Sequence, residues 1–144
     1  MARLSESDSF RKWLAGMPPS AQETVGGIRT LIAADPCVMF STTWCQQCAK
    51  TQEFIEQQSG RQCRKVELDK PPPELQQQST PAAPVLAALT GQNTVPNLFI
   101  ARKHIGGYAE VVRLAEQCRT GAVTPEHGDI CAYLMGGGAS KASA

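Results

Sequence analysis

The residues Val38-Met39-Phe40-Ser41 form a short apolar run, and four positions on stands Cys45-Gln46-Gln47-Cys48. The run reads as a strand buried on both faces. Thr42 and Thr43 make the turn after it, and Cys45 opens a helix. Two cysteines three positions apart at the head of a helix are the arrangement for thiol–disulfide exchange. Free N–H groups and the positive end of the helix dipole favour a thiolate there. Cys45, at the very start, is expected to be the attacking sulfur. Cys48, one turn in, is close enough to close a disulfide and release the product. This strand–turn–helix unit constrains the rest of the chain to build a sheet beside it.

The chain order supplies that sheet. Phe10, Trp13, Leu14 and Met17 form an apolar stripe that Pro18-Pro19 stops. Ser20 and Glu23 read as a capping box for the next helix. Ile28, Leu31 and Ile32 continue that helix at helical spacing, against the interruption of Gly26-Gly27, to an end near Ala34. The helix opened by Cys45 runs through Phe54 and Ile55 to Gly60. Residues 63–68 alternate as a second strand. Residues 69–84 hold five prolines, which excludes regular structure over most of that length. Val85, Leu86 and Leu89 make a short helix, and residues 97–100 a third strand. Arg102-Lys103 turns the chain into a fourth strand ending at Gly106-Gly107. Val111, Leu114, Ala115 and Cys118 mark the apolar face of a helix stopped by Gly121. Thr124-Pro125-Glu126 opens a last helix with Ile130, Tyr133 and Leu134. The small-residue tail 136–144 is expected to be disordered. The first strand–helix–strand unit pairs its strands in parallel by a right-handed crossover. The tight turn before the last strand makes that pair antiparallel. The fold class is therefore α/β, a mixed four-stranded sheet with helices on both faces.

Composition bounds the function. A net charge of +1 argues against nucleic acid or an anionic membrane as partner, and no apolar run approaches the ~18 residues of a membrane span. Residues 1–20 lack the apolar core of a secretory leader, and Glu6 and Asp8 weigh against a transit peptide. The expectation is a cytoplasmic protein, with mitochondria as the alternative. Without a secretory signal, Cys37, Cys63, Cys118 and Cys131 are expected to be reduced and to pack as small apolar side chains. His104 and His127 are lone histidines, expected to be solvated or packed and not metal ligands.

With these elements placed, the chain resembles a dithiol glutaredoxin, a branch of the thioredoxin-like fold, over residues 22–122. Residues 1–21 and 123–144 are then N-terminal and C-terminal extensions. The resemblance is carried by Val38-Met39-Phe40-Ser41 with the CxxC and Lys50, by Val66-Glu67-Leu68-Asp69, by Leu86 to Gly91, by Thr94-Val95-Pro96-Asn97-Leu98-Phe99-Ile100, and by Lys103-His104-Ile105-Gly106-Gly107. It implies a cis peptide bond before Pro96, with the Val95 main chain facing outward beside Cys45 to pair with an extended peptide such as glutathione. It implies catalysis by Cys45 and Cys48, and glutathione contacts from Trp44, Thr94, Val95, Pro96, Gly107, Tyr108, Ala109 and Glu110.

The expected function is glutathione-linked reduction of protein disulfides and glutathione mixed disulfides by a monomeric oxidoreductase. Glutathione is the reductant, and disulfide-containing or glutathionylated proteins are the partners. The alternative is a glutathione-dependent 2Fe–2S glutaredoxin with Cys45 as cluster ligand, acting in cluster transfer or sensing. A redox-inert adaptor is disfavoured because both cysteines are intact. The chain also departs from the resemblance. Thr42 and Asn93 stand where lysine and arginine are usual, Ala83 where a glutamine points into the site, and Tyr108-Ala109-Glu110 after the glycines. Weaker glutathione binding is expected, with Arg102 or Lys103 as the nearest substitute cations.

Overall fold

In the computed structural model, which describes residues 8–76 and 80–136, the first strand β1 (Cys37–Ser41) is buried along its whole length. Its side chains alternate between two apolar layers: Val38 and Phe40 enter one, Cys37 and Met39 the other. A central strand covered on both faces has no place for a polar alternation, so its sequence reads as one apolar run. β2 (Arg64–Glu67) lies parallel to β1, with Phe40 opposite Val66. β3 (Asn97–Ile100) pairs antiparallel with β1 on its other side, and β4 (Lys103–Gly106) pairs antiparallel with β3. The sheet order is β2-β1-β3-β4, the mixed four-stranded sheet expected.

Helices cover both faces. After α1 (Asp8–Ala15) come α2 (Pro19–Ala34), α3 (Gln46–Ser59), α4 (Pro73–Gln76), α5 (Ala82–Thr90), α6 (Tyr108–Thr120) and, following a 3-10 turn at Pro125–His127, α7 (Gly128–Leu134). Ile55 of α3, Val111 and Leu114 of α6, and Ile130 and Leu134 of α7 pack on Met39, Leu98 and Ile100. Ile28 and Leu31 of α2 with Val85 and Leu86 of α5 pack on Val38, Phe40, Val66 and Phe99. The Phe40 and Phe99 rings meet edge to face at 5.8 Å, a geometry that adds about 0.5–1.5 kcal/mol beyond the area buried.

Two expectations from the sequence are corrected, the cap at Ser20 and the reduced state of the cysteines outside the CxxC. Ser20 does not cap α2: the helix begins at Pro19, which needs no N–H partner at that position. Ser20 Oγ instead meets Thr80 Oγ1 at 2.7 Å, and Thr24 Oγ1 donates to the Thr80 carbonyl at 2.8 Å, tying α2 to the entry of α5. α2 runs through Gly26-Gly27 to Ala34 as expected, and a Cβ on Gly27 would lie 2.5 Å from the Glu74 carbonyl oxygen, so the missing side chain lets α4 approach. Residues 69–84 contain α4 as an extra short helix, started by Pro73. Cys37, Cys63, Cys118 and Cys131 are not reduced. Parallel pairing of β1 and β2 brings Cys37 and Cys63 to a Cα separation of 4.6 Å, and they are disulfide-bonded. Cys118 of α6 and Cys131 of α7 are likewise bonded, at 5.4 Å. Neither pair is close in sequence, and both are made neighbours by tertiary packing.

Trp13 of the first apolar stripe packs against the α2 layer. The side chains of Phe10 and Leu14, and the tail from residue 137, lie outside the described residues. None of the described helices is long and apolar enough to cross a membrane.

Candidate active site

Cys45 is the N-cap residue of α3, in extended backbone geometry with φ −84° and ψ 109°. Its Sγ accepts the N–H of Cys48 at 3.1 Å, which puts the sulfur among the unpaired donors of the first turn. It is bonded to Cys48 in an intramolecular disulfide across a Cα separation of 5.3 Å. The two sulfurs are not equivalent. Cys45 is half-buried at the cleft, whereas Cys48 is 1% exposed and packs into the core beneath. An incoming nucleophile or disulfide can reach only Cys45 directly.

The turn that delivers Cys45 is pinned at both ends. The Cys45 N–H donates to the Thr42 carbonyl at 3.3 Å. The Thr43 N–H and hydroxyl donate to the Asp69 carboxylate at 3.0 and 2.5 Å, fastening the turn to the end of β2. The Thr43 hydroxyl, followed by the other bonds to that carboxylate, holds Asp69 below the usual carboxyl range, so it is an anion. Trp44, 74% exposed, stands at the rim.

Opposite Cys45 lies the loop before β3. The Val95–Pro96 peptide is cis. A groove of about 720 Å³ runs along Trp44, Cys45, Leu68, Ala83, Asn93 and Val95. A second, of about 480 Å³, runs from Gln47 past Pro96 to Gly107, Tyr108, Ala109 and Glu110. Thr94 and Val95 line both. The structure thus gathers every residue expected at the site, except the buried Cys48, around one cleft. It also collects the three departures Thr42, Ala83 and Asn93 on the wall of the first groove, where they present neutral side chains. Lys103 does not replace the expected cations there; its ammonium donates to the Glu126 carbonyl at 2.5 Å.

At the far end, Glu110 caps its own helix. Gly107 N–H donates to Glu110 Oε1 at 2.7 Å, so one first-turn donor of α6 is already engaged. Tyr108 is held edge-on by Phe54 at 6.2 Å, and the Lys50 ammonium sits 5.1 Å from the centre of its ring. Lys50 is therefore a cation beside the second groove, contributed by α3.

Sequence reasoning did not place Gln47, Gln92, Leu68, Asp69 or His104 at the site. All five line the two grooves. His104 is packed, as expected of a lone histidine: Nε2 lies 2.9 Å from Asn97 Oδ1 and 3.2 Å from Gln92 Oε1. Burial pushes its pKa down, against a smaller upward pull from Glu110, so the ring is neutral. The signal that could have found this cluster is Asn97, a polar residue inside the apolar run of β3 that needs partners.

Comparison with known proteins agrees with this geometry. Residues 37–105 match the family model described as Glutaredoxin. The chloroplastic glutaredoxin-C5 of Arabidopsis thaliana is 39% identical over 87 residues, which cover 60% of this chain and 47% of that protein. The chain therefore spans about half the length of that relative. Glutaredoxin-C6 of Oryza sativa subsp. japonica is 34% identical over 99 residues, covering 69% of this chain and 83% of that protein. The crystal structure of the buckwheat glutaredoxin–glutathione complex superposes with a TM-score of 0.62 at 29% identity, covering 82% of this chain and 98% of that one. With Cys45 and Cys48 at the head of α3 and the cis Val95–Pro96 bond beside them, the chain belongs to the glutaredoxin family.

Proposed function

We propose that this protein is a thiol–disulfide oxidoreductase that reduces glutathione mixed disulfides and protein disulfides through Cys45 and Cys48, with glutathione as reductant. The observation that carries the reading is the asymmetry of the pair, a half-exposed N-cap sulfur bonded to a buried one. In the reduced enzyme the Cys45 thiolate attacks the substrate sulfur bound to glutathione's sulfur, or the glutathione sulfur itself. A mixed disulfide forms on Cys45 and the displaced thiolate takes a proton from solvent. Cys48 then attacks Cys45, giving the Cys45–Cys48 disulfide seen here and releasing the second thiol. Two glutathione molecules restore the dithiol and leave as glutathione disulfide, so two electrons enter and two leave.

The buckwheat complex with glutathione supports the choice of thiol. Trp44, Thr94, Val95 and Pro96 on one side and Gly107, Tyr108, Ala109 and Glu110 on the other would hold it. The neutral wall of Thr42, Ala83 and Asn93 makes that binding weaker than a charged wall would. The cluster alternative would take one sulfur from each protomer, Cys45, and that sulfur is engaged with Cys48 in the oxidised state seen here. The functional unit spans residues 22–122 in a monomer, and α7 of the C-terminal extension adds Ile130 and Leu134 to its core. A cytoplasmic site, with mitochondria as alternative, remains the expectation from the sequence; the two further disulfides weigh toward an oxidising compartment.

The test is steady-state turnover of the mixed disulfide of glutathione and 2-mercaptoethanol, coupled to glutathione reductase. Saturable turnover well above uncatalysed exchange is expected. Turnover no faster than free thiol exchange would overturn the proposal.

A further inference from the structure

Gln92 lies on the turn between α5 and the cis-proline loop, and its side-chain amide is used at every atom. Nε2 donates to the Thr94 carbonyl at 3.0 Å and to the Pro96 carbonyl at 2.9 Å. Those carbonyls flank Val95 on both sides. Oε1 faces His104 Nε2 at 3.2 Å. The same His104 nitrogen faces Asn97 Oδ1 at 2.9 Å, so with two acceptors before it Nε2 carries the proton. Asn97, 1% exposed, donates in turn to Thr90 Oγ1 at 3.2 Å and to the Gln92 carbonyl at 3.4 Å. Thr90 Oγ1 accepts the Gln92 N–H at 3.1 Å and is anchored by donating to Leu86. The Phe99 ring, 5.3 Å from that of His104, fixes the imidazole from the sheet side. A continuous polar chain thus runs from the end of α5 to β4, and the loop hangs from it by the amide of Gln92.

Within that loop the Val95 main chain is left untied. Among the described residues no hydrogen bond engages the N–H or carbonyl of Val95, which is half-buried and lines both grooves with Cys45 across the first. The carbonyls on either side are held by Gln92, while Val95 offers a free donor and a free acceptor.

We propose that Gln92 is a positioning residue for substrate docking: by holding the Thr94 and Pro96 carbonyls it turns the Val95 main chain toward the cleft, where it pairs with the extended backbone of a disulfide or thiol substrate. His104 and Asn97 act one step further back, by setting the rotamer of Gln92. The inference rests on the oxidoreductase reading above, because the docked molecule is that enzyme's substrate.

A positioning role and a merely structural one differ in what they move. Gln92→Glu keeps the shape and the acceptor but presents an oxygen to two carbonyl oxygens, losing both bonds. Gln92→Met keeps the length without donor or charge. Both variants are assayed with the 2-mercaptoethanol–glutathione mixed disulfide, and the reduced Cys45 thiolate is titrated separately by iodoacetamide, which needs no docking. The expected result is a KM raised about tenfold with kcat within twofold, and an unchanged iodoacetamide rate. His104→Gln, which returns an N–H to the same place, should keep KM within twofold, whereas His104→Leu should raise it. Unchanged KM in both Gln92 variants would overturn the proposal. So would a fall in kcat alone, or an iodoacetamide rate that falls in step with turnover, since either means the site itself was damaged. Absence of turnover in the wild type would instead sink the oxidoreductase reading on which the inference stands.

Discussion

The C-terminal helix α7 is held by packing and by one covalent link, and the link can be removed without touching the active site. Cys118 and Cys131 are separated by 13 positions, and both are half-buried. Ile130 and Leu134 are fully buried, and Tyr133 packs beneath Arg61, whose guanidinium lies 4.3 Å from its ring centre. Replacing both cysteines by alanine leaves those contacts in place and frees the loop only in the unfolded chain. The chain-entropy relation gives about 3 kcal/mol for a loop of this length. For a domain of this size such a loss lowers the melting temperature by roughly 10 °C. The assay is thermal unfolding of wild type and Cys118→Ala/Cys131→Ala by circular dichroism without reductant. Iodoacetamide labelling under denaturing conditions confirms beforehand that the wild type carries no free thiol at these positions. A shift below about 2 °C would refute the reasoning, because α7 would then be fixed by its buried side chains alone.

Three further outcomes follow from the same structure. Gly27→Ala places a Cβ 2.5 Å from the Glu74 carbonyl, so α4 must move and urea unfolding should show a loss of about 1–3 kcal/mol; an unchanged midpoint would mean α4 yields freely. His104 has a lowered pKa in the folded state, so the unfolded chain binds its proton more readily. Its contribution to stability is complete above the ordinary value near 6.5 and is lost as the pH falls through that value toward the lower folded one. Wild type should therefore lose more stability between pH 7.5 and pH 5.5 than His104→Gln, and parallel losses would contradict this. Thr42→Lys/Asn93→Arg adds two cations to the neutral wall of the first groove, and the KM for glutathione should fall about tenfold or more; an equal KM would show that this wall does not meet a carboxylate.

Local pattern made much of the fold legible. The unbroken apolar run of β1, the cysteines at the head of α3 and the glycines closing α3 and α6 each follow from rules that act within one or two turns of chain. The cleft was legible for the same reason, because its parts lie in three short motifs. What was missed depends on residues that meet only after folding. Cys37 and Cys63 are 26 positions apart and become neighbours through the register of two parallel strands. The helix reads through Gly26-Gly27 in the sequence, but the contact with α4 gives Gly27 a packing reason that no local rule contains. Ser20 looked like a cap, and proline one position earlier took the helix start from it. Gln92 gave no signal of its own, since its partners are two main-chain carbonyls and a histidine on another strand.

The division of labour between the two sulfurs is tested most directly by trapping the intermediate. Reduced wild type, Cys45→Ser and Cys48→Ser are each mixed with glutathione disulfide, quenched in acid and weighed by mass spectrometry. Cys48→Ser should accumulate one glutathione adduct, mapped to Cys45, because the resolving thiol is gone. Wild type should pass to the Cys45–Cys48 disulfide without an adduct, and Cys45→Ser should remain unmodified at Cys48, which is buried beneath the cleft. An adduct on Cys48 in the Cys45→Ser variant, with none on Cys45 in the other, would contradict the account.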